Sequence, residues 1–290
     1  MPHIISYAQN REDVMLWRVL HAESPGFYID VGAHDPVIDS VTQGFYDRGW
    51  RGINIEPQKQ YYEKLSEARS GDINLNVAVS NEPGQLTFYR IADGDGLSTL
   101  DKTVAEYHRS KGMQVEASPV SVETLEAICD KHAKQAIHFL KIDVEGLELQ
   151  VIQGLAFKQY RPWIILVEAV APGSLTPSHQ EWEGHLLSQD YQFVYFDGLN
   201  RFYLANEKSS LKHHFDAPIN LFDHYETLAQ HKQANELVEM RHELYGLRAE
   251  QKLFEQAARW KRVFCRMLLL PEKLGRNIVR LFFRRKLRKK

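Results

Sequence analysis

Two residues set the first constraint on chemistry. Gly32 follows the short apolar run FYIDV (27–31), and Glu56 closes the run GINIE (52–56) just before Pro57. An apolar run of this length, stopped by glycine or proline, has the character of a buried parallel strand. In an open parallel sheet, ligands bind beyond the carboxyl ends of the strands. A glycine at the first end lets a ligand approach the backbone, where a Cβ would collide with it. A carboxylate at the second end can accept hydrogen bonds from two vicinal ribose hydroxyls. The glycine set GxGxxG, which seats a dinucleotide pyrophosphate at a helix N-terminus, does not occur. The pair therefore describes a nucleoside site without pyrophosphate. A plainer reading makes Gly32 a turn glycine and Glu56 a surface acid, and their matching strand-end positions weigh against it.

The elements that must hold these residues alternate along the first two hundred positions. Strands are expected at 27–31, 52–56, 73–80, 85–91, 120–122, 137–144 and 163–170. Helices are expected at 9–20, 40–48, 58–69, 101–111, 123–132, 148–155 and 178–189. Residues 192–197 and 201–205 pair about Gly198-Leu199-Asn200 as a closing hairpin. This alternation predicts βαβ units and a mostly parallel sheet, with one antiparallel strand at or near an edge. After about residue 208 the character changes. Residues 223–259 contain no proline and no strand-like run, and Leu237, Leu244, Leu247, Phe254 and Ala258 fall near heptad spacing. A long helix follows, packed on its own domain or joined to another copy as a coiled coil with about three weak heptads. The chain thus divides at 1–210, 211–259 and 260–290.

Composition narrows the class. Hydrophobic residues make up 43% of the chain and charged residues 26%, which suits a soluble globular protein with a real core. The two cysteines, Cys129 and Cys265, form no CxxC and read as inert thiols of a reducing compartment, with neither disulfide nor zinc site. No apolar stretch is long enough to span a bilayer, and the first residues lack a signal-peptide pattern, so a cytoplasmic protein is expected. The net charge of −2 conceals an asymmetry. Segment 260–290 holds twelve Lys or Arg against the single acid Glu272, a formal +11, so the other 259 residues carry −13.

The runs FYIDVGAHDPVIDSVTQGFYDRGWRGINIEP, INLNVAVSNEPGQLTFY, GLSTL and IHFLKIDVEGLELQVIQGL, in that order, resemble the FkbM family of methyltransferases. The most specific part is KIDVEG (141–146), and the resemblance covers roughly residues 6–206. It implies a Rossmann-like class I methyltransferase fold, with a seven-stranded, mostly parallel sheet and an antiparallel hairpin strand. It implies S-adenosylmethionine as cofactor and methylation of oxygen on sugars or polyketides. Carried over by position, it assigns Asp30, Gly32 and Ala33 to the methionine side of the cofactor and Glu56 to the ribose. Val77 and Ala78 face the adenine, and Asp143 lies beside the reactive methyl. His34 stands where asparagine or histidine is expected.

A sugar hydroxyl needs a base or a metal to lose its proton. Asp143, Glu145, Glu168 and His34 are the candidates, and Asp143 and Glu168 face one cleft if their strands are neighbours. Each has a duller alternative. Asp143 or Glu145 caps the helix after Gly146, Glu168 forms an ion pair, or His34 only bonds a loop. A divalent cation on Asp143 and Glu168 is the less favoured route, because two acids alone do not make a metal site. The loop 93–99 lacks the ligand pattern of a calcium loop and reads as a substrate-side loop.

The basic tail interleaves Lys and Arg with large apolar residues, and Pro271 divides it into two helices. Such a segment suits the surface of an anionic membrane, at about 1 kcal/mol for each basic residue near the lipid. Nucleic acid is disfavoured, since a bulky apolar face has no use on a phosphate backbone and the acidic body would be repelled. Burial of that face in a dimer is the third option, and residues 223–259 offer a second route to a homo-oligomer. These features favour an O-methyltransferase of a cell-surface glycan, glycolipid or their precursor, peripheral to the inner face of the membrane. The alternatives are methylation of a small secondary metabolite, and a non-catalytic membrane scaffold that keeps the fold.

Overall fold

In the computed structural model, residues 2–92, 96–171, 174 and 176–268 are described. The chain forms two compact units, 1–228 and 229–290. The first is built on a seven-stranded sheet. In chain order its strands are β1 (Phe27–Val31), β2 (Arg51–Ile55), β3 (Ile73–Leu75), β4 (Phe139–Ile142), β5 (Ile164–Glu168), β6 (Tyr191–Phe196) and β7 (Asn200–Ala205). Their order across the sheet is β6-β7-β5-β4-β1-β2-β3. All neighbouring pairs are parallel except those of β7, which runs antiparallel to both β5 and β6. The hairpin expected from the sequence therefore supplies one antiparallel strand next to the edge. The chain proceeds outward from β1 to β3 and then returns to the other side of β1, so the strand order reverses between β1 and β4. A ligand crevice opens at such a reversal.

The strands are apolar on both faces because helices cover both. Phe27, Ile29 and Val31 point to one face with Ile53, Leu140 and Ile165, under helices Leu125–His132 and Glu148–Gln153. Tyr28, Phe139, Ile164 and Leu166 point to the other, under helices Glu12–Leu20 and Gln43–Tyr46. The helix expected at 40–48 is thus only one turn long. The preceding loop is held instead by Arg69, which is fully buried and donates to the Pro36 carbonyl, Ser40, Thr42 and Gln43.

Three expectations are corrected. The strand expected over 73–80 is two strands in different sheets. Ile73–Leu75 is the edge of the main sheet, whereas Ala78–Val79 belongs to a three-stranded sheet with Gly84–Ile91 and Val115–Glu123. Asn76 makes the break, its amide donating to the carbonyls of Glu56 and Pro57 at 2.9 Å each. The short strand expected at 120–122 is correspondingly longer. It tolerates Pro119 because its parallel partner pairs only at Val122 and Glu123, leaving the proline on an open edge. Segment 223–259, expected to have no strand, contributes Tyr225–Thr227, which pairs in parallel with Ile4–Ser6.

The described residues of the second unit, 229–268, belong to one helix, Leu228–Leu268, as the sequence predicts over most of its length. The tail beyond Leu268, including the division at Pro271, lies outside the described residues. No helix among the described residues is long and apolar enough to cross a membrane.

Candidate functional site

A cleft of about 770 Å³ opens along the carboxyl ends of β1, β2, β4 and β5, within the volume range of small-molecule sites. Gly32, Ala33, His34, Glu56, Val77, Ala78, Asp143, Glu145 and Glu168 all line it, as the sequence reading requires of one site. Asp30 does not. Its carboxylate is buried, 3.2 Å from the Thr42 hydroxyl and 3.4 Å from Lys141 Nζ.

The turn after β1 is tied to the strands on both sides. The N–H groups of Gly32 and Ala33 donate to the Ile55 carbonyl at 3.0 and 3.2 Å, and His34 N–H donates to Glu56 Oε2 at 2.9 Å. On the other side, Asp143 N–H donates to the Val31 carbonyl at 3.1 Å. Gly32 has φ +79°, and a Cβ there would lie 1.8 Å from the Asp143 carbonyl oxygen. The chain's own backbone thus requires a glycine at this position, independently of any ligand.

Glu56 is buried at the end of β2 and is no surface acid. Its Oε1 accepts from Gln58 N–H at 2.7 Å and its Oε2 from His34 N–H, and each oxygen keeps a second lone pair. Burial pushes this carboxyl up to about 7, against the two backbone donors that favour its charged form. A buried acceptor pair at a strand end, with no glycine-rich phosphate turn beside it, fits the hydroxyls of a nucleoside. Val77, Ala78, Val79 and Tyr61 add apolar wall to the same cleft. His34 packs its ring on Tyr61 with centroids 3.8 Å apart, so its side chain belongs to this wall.

The acids at the ends of β4 and β5 converge. Asp143, Glu145 and Glu168 each place a carboxylate oxygen within 4.8 Å of the others, a set that could hold a metal ion. The sequence had placed only Asp143 and Glu168 in that role. The duller roles are not taken. Helix Glu148–Gln153 has Leu147 at its N-cap with no side-chain bond, so neither Asp143 nor Glu145 caps it. Glu168 makes no ion pair among the described residues. Glu145 stands at φ +55°, a conformation that costs a non-glycine residue about 1 kcal/mol or more. Its carbonyl is held at 2.7 Å by the Thr99 hydroxyl, and Gly96, Leu97 and Ser98 of the same loop line the cleft. Burial, followed by the charge of Asp143, pushes the Glu145 and Glu168 carboxyls far above the usual range.

Three contributors were missed. Lys141 donates to the Gly32 carbonyl at 2.7 Å and stands 3.3 Å from Asp143 Oδ2. Burial alone would lower its pKa, but Asp30 and Asp143 raise it above the ordinary lysine value. Its place in KIDVEG was the available signal, since Lys141 and Asp143 are two apart on a strand and share a face. Glu12 and Asn200 line another part of the cleft. Glu12 Oε1 accepts from Asn200 Nδ2 at 2.8 Å, and burial pushes its carboxyl up to about 8. Asn200 pairs directly with Glu168 across the sheet. No local pattern could reveal a contact spanning 188 positions.

A family model described as the methyltransferase FkbM domain matches residues 30–193. No curated protein matched the chain. Among solved structures, methyltransferase FkbM from Methylobacillus flagellatus KT is similar at 15% identity with a TM-score of 0.39. That alignment covers 63% of this chain and 44% of the other, so this chain matches less than half the length of that relative. The family match spans more than half of this chain and runs from β1 through the cleft acids to β6, which makes the chain a member of the FkbM methyltransferase family.

Proposed function

We propose that the protein is an S-adenosylmethionine-dependent O-methyltransferase acting on a sugar hydroxyl of a cell-surface glycan or its precursor. The observation that carries this reading is the convergence of Asp143, Glu145 and Glu168 in one cleft with the buried carboxylate of Glu56. When bound, S-adenosylmethionine supplies an already activated methyl group, so the protein's task is mainly to position the acceptor. Glu56 would hold the ribose hydroxyls, Gly32 and Ala33 the methionine side, and Val77 and Ala78 the adenine. Asp143, whose side chain is 37% exposed, takes the acceptor's proton. Glu145 and Glu168 hold protons at neutral pH under their raised pKa values, which leaves Asp143 to act as base.

Gln9, Asp39, Ser98, Ser174 and Asn200 on the cleft wall offer hydrogen bonds suited to a polyhydroxylated acceptor. A wall with this many polar groups favours the sugar over an apolar secondary metabolite. The basic segment 260–290, set against an acidic remainder, favours an acceptor assembled at an anionic membrane surface. Mass spectrometry of surface glycans from cells with and without the protein tests the reading. One methyl group should be lost with the protein, and unchanged glycans would leave the metabolite or scaffold alternatives ahead.

Two further results are expected. Affinity for S-adenosylmethionine should depend on pH through Glu56. Its raised pKa means that protonation near neutrality removes a hydroxyl acceptor, so binding weakens by about tenfold per pH unit below about 7 and levels off above. Calorimetric titration across that range should show the slope in the wild type and a flat profile in Glu56→Gln. Methyl transfer should also survive a chelator, because Lys141 already supplies the positive charge beside Asp143. Activity abolished by EDTA and restored by magnesium would instead make the three acids a cation site.

A further inference from the structure

We propose that residues 237–258 of the long helix pair with the same segment of a second copy as a parallel, in-register, two-stranded coiled coil. Leu237, Met240, Leu244, Leu247 and Phe254 are each more than half exposed on this helix. Their spacing of three and four places them at successive a and d positions: Leu237, Leu244 and Ala258 at a, Met240, Leu247 and Phe254 at d. Such a stripe is the seam of a two-stranded coil. One polar residue, Gln251, interrupts it at an a position, and a single polar a residue holds two helices in one register.

The flanking charges choose the partner and its direction. Glu236 and Glu243 occupy g positions, and Arg241 and Arg248 occupy e positions. In a parallel pair each g residue faces the e residue of the next heptad on the other helix. Glu236 then meets Arg241 of the second copy and Glu243 meets Arg248 of the second copy, each twice by symmetry. The like-charged Glu250 and Glu255 oppose this once per symmetric half. An antiparallel pair would set glutamate against glutamate and arginine against arginine. The chain is therefore complementary to itself in one orientation. Cys265 falls on the same a line, one heptad beyond Ala258, and it is an exposed free thiol. In a parallel, in-register pair the two Cys265 side chains face each other.

Sedimentation equilibrium of the full chain at tens of micromolar should give a dimer. Arg241→Glu with Arg248→Glu should weaken the dimer by about tenfold or more through like-charge repulsion. Glu236→Arg with Glu243→Arg should do the same, and all four substitutions together should restore it. Diamide, a diazene oxidant, should join the two Cys265 sulfurs. The two electrons and two protons released pass to the diazene, which becomes a hydrazine. The covalent dimer should be absent in Cys265→Ser, since the other cysteine, Cys129, is buried. A monomeric wild type, or a dimer indifferent to all the charge reversals, would overturn the proposal. A dimer that Cys265 cannot cross-link would overturn its parallel register. Circular dichroism confirms that the variants remain folded, so loss of the dimer is not loss of the fold.

Discussion

Gly32→Ala should lower the melting temperature by about 10 °C or more. The new Cβ would sit 1.8 Å from the Asp143 carbonyl oxygen, well inside any permitted contact. That oxygen is backbone and cannot swing aside. Asp143 N–H is bonded to the Val31 carbonyl, and β1 and β4 are neighbours near the middle of the sheet. Relief would require parting two central strands where the cleft begins. The left-handed backbone adds about 1–2 kcal/mol for any residue with a Cβ. In a domain of this size each kcal/mol lowers the midpoint by about 2–4 °C, so several together give the expected fall. Calorimetry or a circular dichroism melt measures it. A midpoint within about 2 °C of the wild type would mean that the turn after β1 is not built as described. Loss of cofactor binding in this variant would not identify Gly32 as a ligand residue, because the fold itself depends on it.

Asp143→Asn should reduce methyl transfer by about 10²- to 10⁴-fold, the range for loss of a general base. The substitution keeps the shape of the side chain and removes its capacity to take a proton. Binding of S-adenosylmethionine should stay within a few-fold of wild type, since Glu56 and the apolar wall at Val77 and Ala78 are untouched. The comparison with Glu168→Gln makes the test selective. Burial and the neighbouring charge of Asp143 already hold the Glu168 carboxyl neutral, so a neutral amide there should leave most of the activity. Methyl content of the surface glycans reports transfer in cells, and calorimetry reports cofactor binding. Full activity in Asp143→Asn with loss in Glu168→Gln would move the base to the end of β5.

Much of the site could be read locally, and the reason is geometric. A parallel sheet brings the carboxyl ends of its strands to one edge, so a residue's place at a strand end already predicts its neighbourhood. Gly32 and Glu56 follow from strand ends alone, whereas the place of Asp143 rests on the family resemblance; Glu168 joins them although β1 and β5 lie more than a hundred positions apart in the chain. Position did not reveal the whole purpose. A glycine that makes room for a ligand is legible from its strand end, and the tertiary structure adds that it also makes room for the Asp143 carbonyl. Asp30 was read as a ligand residue, and register across β1 and β4 turns it to Lys141.

Apolar alternation, strand ends and heptad spacing are local properties, and the sequence alone determined what depends on them. It specified the alternating α/β order, the antiparallel hairpin, the candidate acids and the long helix with its near-heptad spacing. Tertiary structure decided whatever depends on which segments meet. It broke the apolar run after Leu75, because Asn76 bonds the end of β2 and sends the chain into another sheet. It also set Glu12 against Asn200, added Glu145 to the acid pair and closed Ile4–Ser6 onto Tyr225–Thr227. Each of these is a contact between distant parts of the chain, and its energy comes from hydrogen bonds and burial that exist only after the sheet has assembled.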